Sequence, residues 1–577
     1  MKHGRLPIVR VVPALLLAVA LLAPPAALAR QGTPAASPAA TGEATTSLTR
    51  EEFKTQVEEA FPIEEPQSTD GTFVQGGVGD LQSLNPFLAE EETSINITGL
   101  IFEGLVGGDP RTGQPAPGGL ADWWEVAADG VTYTFHLNQD ATWHDGADVT
   151  AEDVQFSFDA LADPATASAY TGSFTAGVAS WRVIDDDTFE VTSNGISASF
   201  LYDLFGVSVV PKHIWESVPH ENWAADPGST GQDPSRIVGT GPLKFEEWVQ
   251  GQEVRLGRND DYYQRVPAIA EYIYRIFPDQ TAAFNAFLNG EIDTAGIQSA
   301  DVETARNTEG IVVEEFADRG FTYYEFNLNA DVVTLFLDVE VRQAFMYALD
   351  RQSIVDNILL GFGEVAQGTQ PTISYAYAPD QIEKQYTYDP DMARQLLEQA
   401  GWTDTNGDGT VDKDGQEMAF EFLYAAGSPE SDQIVAYMQD AWSQIGVAMT
   451  PRTLEFPALI EATTTEGGDW QMALYGFNWD ATFIQDAMFG CEQYLVGFND
   501  MKYCNPALDE IHAQARAELD QDARRALLIE AANVVNEEQP VGIMHFDVNT
   551  SGYSDRVHNL FPGPWGGPGI SIVWVEA

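Results

Sequence analysis

Positive charge is the scarcest commodity in this chain: 28 lysines and arginines stand against 88 aspartates and glutamates, for a formal charge of −60. A nucleic-acid backbone needs a basic face, so nucleic acid is excluded as a partner, and docking onto anionic lipid headgroups is disfavoured for the same reason. The acids are spread along the whole chain, which reads as a strongly solvated surface; attraction of cationic solutes is the sharper alternative. Cysteine is almost missing, with only Cys491 and Cys504 present. Outside the cytoplasm such a pair reads as a disulfide, contributing about 3 kcal/mol, with two buried thiols as the alternative. There is no H-E-x-x-H, no G-x-S-x-G, no phosphate-binding glycine loop and no dinucleotide fingerprint, so no enzyme class is signalled. Paired carboxylates occur everywhere in so acidic a chain and cannot argue for a glycoside hydrolase, the rival reading. No apolar run after the N-terminal segment is long enough to cross a membrane.

What is present begins with a signal-like segment. Lys2, Arg5 and Arg10 precede the apolar run Val11 to Ala23, and Ala27-Leu28-Ala29 offers a small-x-small cleavage site, so residues 1–29 read as a secretory signal. No cysteine lies near that site, which argues against a lipoprotein. Residues 30–70 read as a linker, mostly disordered, because Ala, Thr, Ser, Pro and Gly dominate its first half. Within it Thr49 and Glu52 have the spacing of a capping box for a short, loosely docked helix.

From residue 71 onward the pattern is that of a mixed α/β protein too long for one domain. The turn Asp129-Gly130 precedes strict alternation of Val131, Tyr133, Phe135 and Leu137. Thr150 and Asp153 then cap a helix carrying Val154, Phe158 and Leu161 on one face. His144, in Trp143-His144-Asp145-Gly146, has no second histidine at ligand spacing and reads as a turn residue. The stretch from Gly239-Thr-Gly-Pro242 predicts a strand (LKFEEWV), a tight turn at Gln250-Gly251 and a second strand (EVRLGR). A third strand over Tyr272 to Phe277 then leads to a helix capped by Asp279 and stopped at Asn289-Gly290. Further on, residues 321–329 alternate as a strand, and Asp338, Asp350, Asp389-Pro390 and Ser428-Pro429 each open a helix.

Taken in order, these landmarks closely resemble the extracellular solute-binding proteins of ATP-binding-cassette importers, in the peptide- and nickel-binding branch (solute-binding family 5). The carriers are Leu84-Asn85-Pro86, W-H-D-G with T-A-E-D-V at Trp143 to Val154, G-T-G-P at Gly239, G-E-I-D at Gly290, D-x-x-V-R-Q-A at Asp338 and the A-G-W at Ala400. The resemblance covers about residues 71–577. It implies a periplasmic-binding-protein-like type II clamshell with an additional small lobe, non-catalytic, whose two large lobes close on a solute. The first lobe is discontinuous (71–100, 236–320 and 546–577), the second takes 101–235 and the third 321–545. The implied partners are a short peptide and the permease subunits of an importer, with a periplasmic or extracellular location and a monomeric state. Nickel-chelate, haem or glycan binding on the same scaffold, and ligand sensing without import, are the alternatives.

The resemblance also points to Trp470 to Asp480. Peptide-binding relatives carry Gly-Trp-x-x-Asp there and present the aspartate to the peptide's α-amine; Gly476, Phe477 and Asp480 match with Phe in place of Trp. The alternative is that Asp480 only caps the next turn. Tyr475, Trp479, Tyr323 and Tyr324 are expected to line the pocket, and Asn85 to line the cleft from its turn. Some relatives hold the peptide's carboxylate with an arginine just before this glycine; Leu474 and Tyr475 stand there instead. No cofactor is required. Asp404, Asn406, Asp408, Thr410 and Asp412 have the oxygen spacing of a calcium loop, but position 12 is Gly415, and an Asp/Gly-rich turn is the competing reading.

Overall fold

The structure, a computed structural model, describes residues 45–576 apart from Val496. The signal-like segment and the first part of the linker lie outside the described residues. The rest of the linker differs from expectation. Thr45 and Thr46 pair with Glu125 and Val126, and the helix Arg50–Ala60 forms behind the expected Thr49–Glu52 capping box. Phe53 is buried and the Arg50 guanidinium bonds the Asp122 carboxylate at 2.6 Å. A buried ring and a cation seated on an acid are enough to dock this arm rather than leave it free.

Two sheets organise the chain. Five strands, Thr45–Thr46, Ala121–Val126, Thr132–Leu137, Thr188–Ser193 and Val178–Asp185, make an antiparallel sheet in that spatial order. Its inner face carries Tyr133, Phe135 and Leu137, packed with the helix Ala151–Ala162. The second sheet has twelve strands and is centred on Val541–Ser554. On one side stand Gly320–Phe326, Met472–Asn478, Ala419–Ala425 and Ala448–Leu454; on the other stand Thr294–Gly296, Gly71–Val78, Ile269–Phe277, Glu253–Arg258 and Leu243–Val249. Ile311–Ala317 and Gly363–Val365 also pair with the central strand. Helices cover this sheet in separate apolar clusters, one around Phe345, Phe420 and Trp442 and another around Phe284, Phe287 and Ile292.

The hairpin expected after the Gly239 turn is present, with strands Leu243–Val249 and Glu253–Arg258 in antiparallel register and Gly251 at φ +70°. The turn before it owes its glycines to packing. Gly239 and Gly241 do not adopt positive φ; a Cβ on Gly239 would run into the Ile101 carbonyl, so close backbone approach is what requires glycine. His144 closes the same joint. Its Nδ1 accepts from the Gly239 N–H at 3.2 Å and its Nε2 faces the Gly241 carbonyl at 2.9 Å. Burial pushes this imidazole down to about 4, so it is a neutral clasp, as its lone position implied.

Cys491 and Cys504 form a disulfide, with Cα atoms 4.4 Å apart. The bridge closes a short loop rich in irregular backbone, so its contribution follows the chain-entropy estimate. Replacing both cysteines by serine should lower unfolding stability by about 3 kcal/mol. Urea denaturation of the two proteins side by side measures it; an unchanged midpoint would place the bridge outside the cooperative unit.

Candidate functional site

The strand Met472–Asn478 runs antiparallel to Gly320–Phe326, setting Tyr323 opposite Tyr475 and Phe321 opposite Phe477. Side chains two apart share a face, so these rings and Trp479 form one aromatic layer. Phe477 and Trp479 are 4.5 Å apart, Phe321 and Trp479 5.9 Å, and Tyr323 and Tyr475 6.1 Å. Tyr323 and Trp479 are buried within it, while Tyr475 and Phe477 are half-buried. Gly476 is exposed, with open space where a side chain would stand.

Tyr324 corrects the expectation. It points to the other side of the strand and is fully buried, 5.3 Å from Trp442; the period of two that places Tyr323 in the aromatic layer sends its neighbour into the core. Asn85 is also a correction. It is fully buried, and its Oδ1 accepts from the Phe87 N–H at 3.0 Å, so it builds the Leu-Asn-Pro turn from inside and lines no cleft.

Asp480 ends the strand and is exposed. Oδ1 accepts from the Thr482 N–H at 2.8 Å and from the Thr482 hydroxyl, whereas Oδ2 has no hydrogen-bond partner among the described residues. One oxygen therefore caps a turn and the other is open to a donor from outside. Three further segments meet here. Tyr375 donates its hydroxyl to the Thr482 carbonyl at 2.9 Å and receives Arg524 Nε at 2.8 Å. Asp486 is paired with Arg516, whose Nη1 also reaches Ser199 Oγ at 2.6 Å. Ala198 N–H bonds the Arg516 carbonyl at 2.7 Å, which brings the helix Phe200–Phe205 alongside, with Tyr202 and Asp203.

Asp203 retains solvent contact but is crowded by protein. Desolvation, reinforced by Asp480 and Asp486 and opposed by Arg516, pushes its carboxyl up to about 7. Glu325 and Asp500 form a second acidic pair. Burial, then the charge of Asp500, drives Glu325 well above the usual carboxylate range, and Tyr475 reaches the group through Thr463 Oγ1 at 2.9 Å. Tyr202, Asp203, Tyr375 and Arg516 were not picked out from the sequence. The one signal available was an aspartate inside the apolar run Phe200-Leu-Tyr-Asp-Leu-Phe205.

The Asp404–Asp412 loop is held by its own donors. Asp404 accepts from Gly407 and Gly409 N–H, Asn406 from Asp408 N–H, Asp408 from Thr410 N–H, and Asp412 from Thr405. Among the described residues no three acidic, histidine or cysteine side chains converge to hold a metal. A cavity of about 670 Å³ lies elsewhere, lined among others by Phe53, Leu100, Phe102, Tyr262 and Ile570. On its wall Glu103 accepts from Tyr262 and Tyr263 hydroxyls and Gln264, and burial raises its carboxyl to about 7.

A sequence profile of the bacterial extracellular solute-binding proteins, family 5, matches residues 115–494. The chain belongs to this family. The oligopeptide-binding protein AppA of Bacillus subtilis is 27% identical over 83% of this chain and 87% of its own. The dipeptide-binding protein of Escherichia coli is 25% identical over 82% of this chain and 89% of its own. In three dimensions the structure of AppA from B. subtilis in complex with a nonapeptide aligns at a TM-score of 0.79 and 25% identity, covering 89% of this chain and all of that one. NikZ from Campylobacter jejuni in complex with Ni(L-His) aligns at 0.74 and 24% identity, over 87% of this chain and 97% of its own. Family 5 proteins bind solutes without transforming them, in keeping with the lack of catalytic motifs.

Asp203 sets a pH signature. A carboxyl whose folded pKa lies above its unfolded value binds a proton more tightly when folded, so stability falls as pH rises from about 4 to about 7 and stays low beyond. Asp203→Asn should therefore raise Tm at pH 8 more than at pH 4.5, read by calorimetry at both. An equal shift at the two pH values would contradict the assignment.

Proposed function

We propose that this chain captures a short peptide outside the cytoplasm and delivers it to the permease subunits of an ABC importer, with Asp480 receiving the peptide's α-amine. The observation that carries this reading is the unpartnered Oδ2 of Asp480, whose Oδ1 is held by Thr482, within electrostatic reach of Tyr202 and Asp203. An ammonium meeting that oxygen makes a charge-assisted bond, stronger than a neutral one. The surplus of acid around it, Asp203 and Asp480 beside a neutralised Asp486–Arg516 pair, favours a cation at this position. The relatives named for peptides support a peptide as the cargo.

In this reading the half containing 71–100, 236–320 and 546–577 closes on the half containing 321–545, and the small unit 101–235 reaches across through Ser199 and Arg516. Residues 1–29 serve as the export signal in this reading, which puts the protein in the periplasm or outside the cell, acting as a monomer. Glycan, haem or nickel chelate as cargo would need another anchor. His512, within electrostatic reach of the Asp486–Arg516 pair, is buried and pushed down to about 4 by desolvation, which makes it a poor partner for a chelator's carboxylates.

Asp480→Ala should weaken binding of a free-amine peptide by about 1.5–3 kcal/mol, the range of a hydrogen bond to a charged group. Titration calorimetry with the same peptide N-acetylated provides the control, which should bind the wild type as weakly as the free peptide binds the variant. Equal affinity of the free and acetylated forms for the wild type would remove Asp480 from the amine.

A further inference from the structure

The cavity of about 670 Å³ lies between the N-terminal arm and the body of the protein. Phe53, Lys54 and Val57 of the helix Arg50–Ala60 line it, together with Phe102, Arg265 and Ile570. The helix is fixed at both ends. Before it Thr45 and Thr46 pair with Val126 and Glu125. After it Phe61 meets Phe561 edge-on at 5.2 Å, and the Asn559 carboxamide bonds both backbone groups of Glu64 at 2.8 Å. Between these anchors Phe53 is its one buried residue, and Val57, a turn further on, is only half-buried. Apolar walls around a void forfeit dispersion contacts. The volume lies within the range of small-molecule sites, about 300–1,000 Å³.

The cations set the sign of a ligand here. Bases are scarce in this chain, and nearly all the described ones are taken, as Arg236 is by Asp226, Arg556 by Asp293 and Lys244 by the His144 carbonyl. Among the described residues only Lys54, Arg265 and Arg319 use their side chains in no hydrogen bond and no salt bridge. Two of those three border this one cavity. Arg50 adds a third cation to its wall, and the Arg50 Nη1 is buried without a partner although Nε sits on Asp122. Carboxylates border the space as well. Glu51, Glu58 and Asp140 are exposed to solvent, and Glu103 already receives the Tyr262 and Tyr263 hydroxyls and Gln264 on Oε1. A cationic head would be drawn to Glu103, whose Oε2 has no partner; the unpaired bases favour the opposite charge.

We infer that this cavity is a second ligand site, separate from Asp480, that takes an amphipathic anion: an alkyl or acyl chain against Phe53, Val57, Phe102 and Ile570, with a carboxylate or phosphate-ester head met by Lys54 and Arg265. No residue lining it belongs to the strand Met472–Asn478 or to the turn at Asp480, so the inference stands whatever the cargo of the cleft. A bound chain fills the void under the helix and tightens the docking of the arm.

The full mature protein is titrated by calorimetry with decanoate, decyl phosphate and decylammonium, each below its micelle concentration. One of the two anions should bind more tightly than decylammonium by about 10-fold or more, the scale of two exposed ion pairs, and the stronger of them identifies the head as carboxylate or phosphate. Lys54→Gln and Arg265→Gln should each weaken that anion by about 3- to 5-fold, and Val57→Trp, which fills the space from the arm, should abolish its binding. Arg319→Gln, the unpaired cation outside the cavity, should leave it unchanged. In the wild type the anion should slow hydrogen exchange of the amides of residues 50–60. Tighter binding of decylammonium would give the site to Glu103 and overturn the anion assignment; failure of all three probes would overturn the site itself. An anion held equally by the wild type, Lys54→Gln and Arg265→Gln would mean partition onto apolar surface, which also overturns it. Lys54 is exposed, so its variant should fold, and it carries the test if Arg265→Gln is unstable.

Discussion

Everything in the large sheet depends on one strand. Val541–Ser554 pairs with Gly320–Phe326 through its first residues and with Ile311–Ala317 and Thr294–Gly296 through its last. The two sides of the sheet therefore share a backbone ladder rather than a side-chain interface. The short link Asp318-Arg319 also joins them, connecting two partners of the same central strand. A register shift between Thr322 and Tyr323 marks where the pairing changes. Hydrogen bonds along a strand resist stretching but allow twist, so this connection can keep the two sides in register while their angle varies.

The charge imbalance shapes the rest. With few bases available, the buried ones sit at joints between distant segments. Arg351 binds the carbonyls of Ile543 and Tyr386, and Arg342 those of Phe336 and Glu538. Asp293, almost wholly buried, accepts from Val74 N–H at 2.8 Å and from Arg556 at 2.6 Å. Such contacts add little net stability after desolvation, but a wrong pairing would strand a charge. They therefore favour one arrangement of segments over its competitors.

Local structure was legible in the sequence wherever period and punctuation agreed. The hairpin around Gln250-Gly251, the helix behind Thr150 and the helix opened by Asp389-Pro390 fall where alternation, capping and proline put them. The site was legible only in part. Asp480 and its strand were visible, but Tyr324 was placed with Tyr323 although adjacent strand residues face opposite ways. Asn85 was read as a cleft residue, whereas an asparagine before proline more readily bonds its own turn. Tyr202 and Asp203 carry no local signature. Their meaning comes from segments far apart in sequence that meet only in the folded chain, and spacing cannot report such meetings. The arm at 45–60 was underestimated because composition alone says nothing of a docking partner such as Asp122.

The position of the central strand along the chain has a temporal consequence. Its fourteen residues are synthesised after every strand they pair with, yet both flanking groups of strands need them as a template. Earlier segments can collapse around their own helices, but neither side of the large sheet can be completed until this strand has been made. The order of synthesis thereby holds back the joining of the two sides until their common partner emerges.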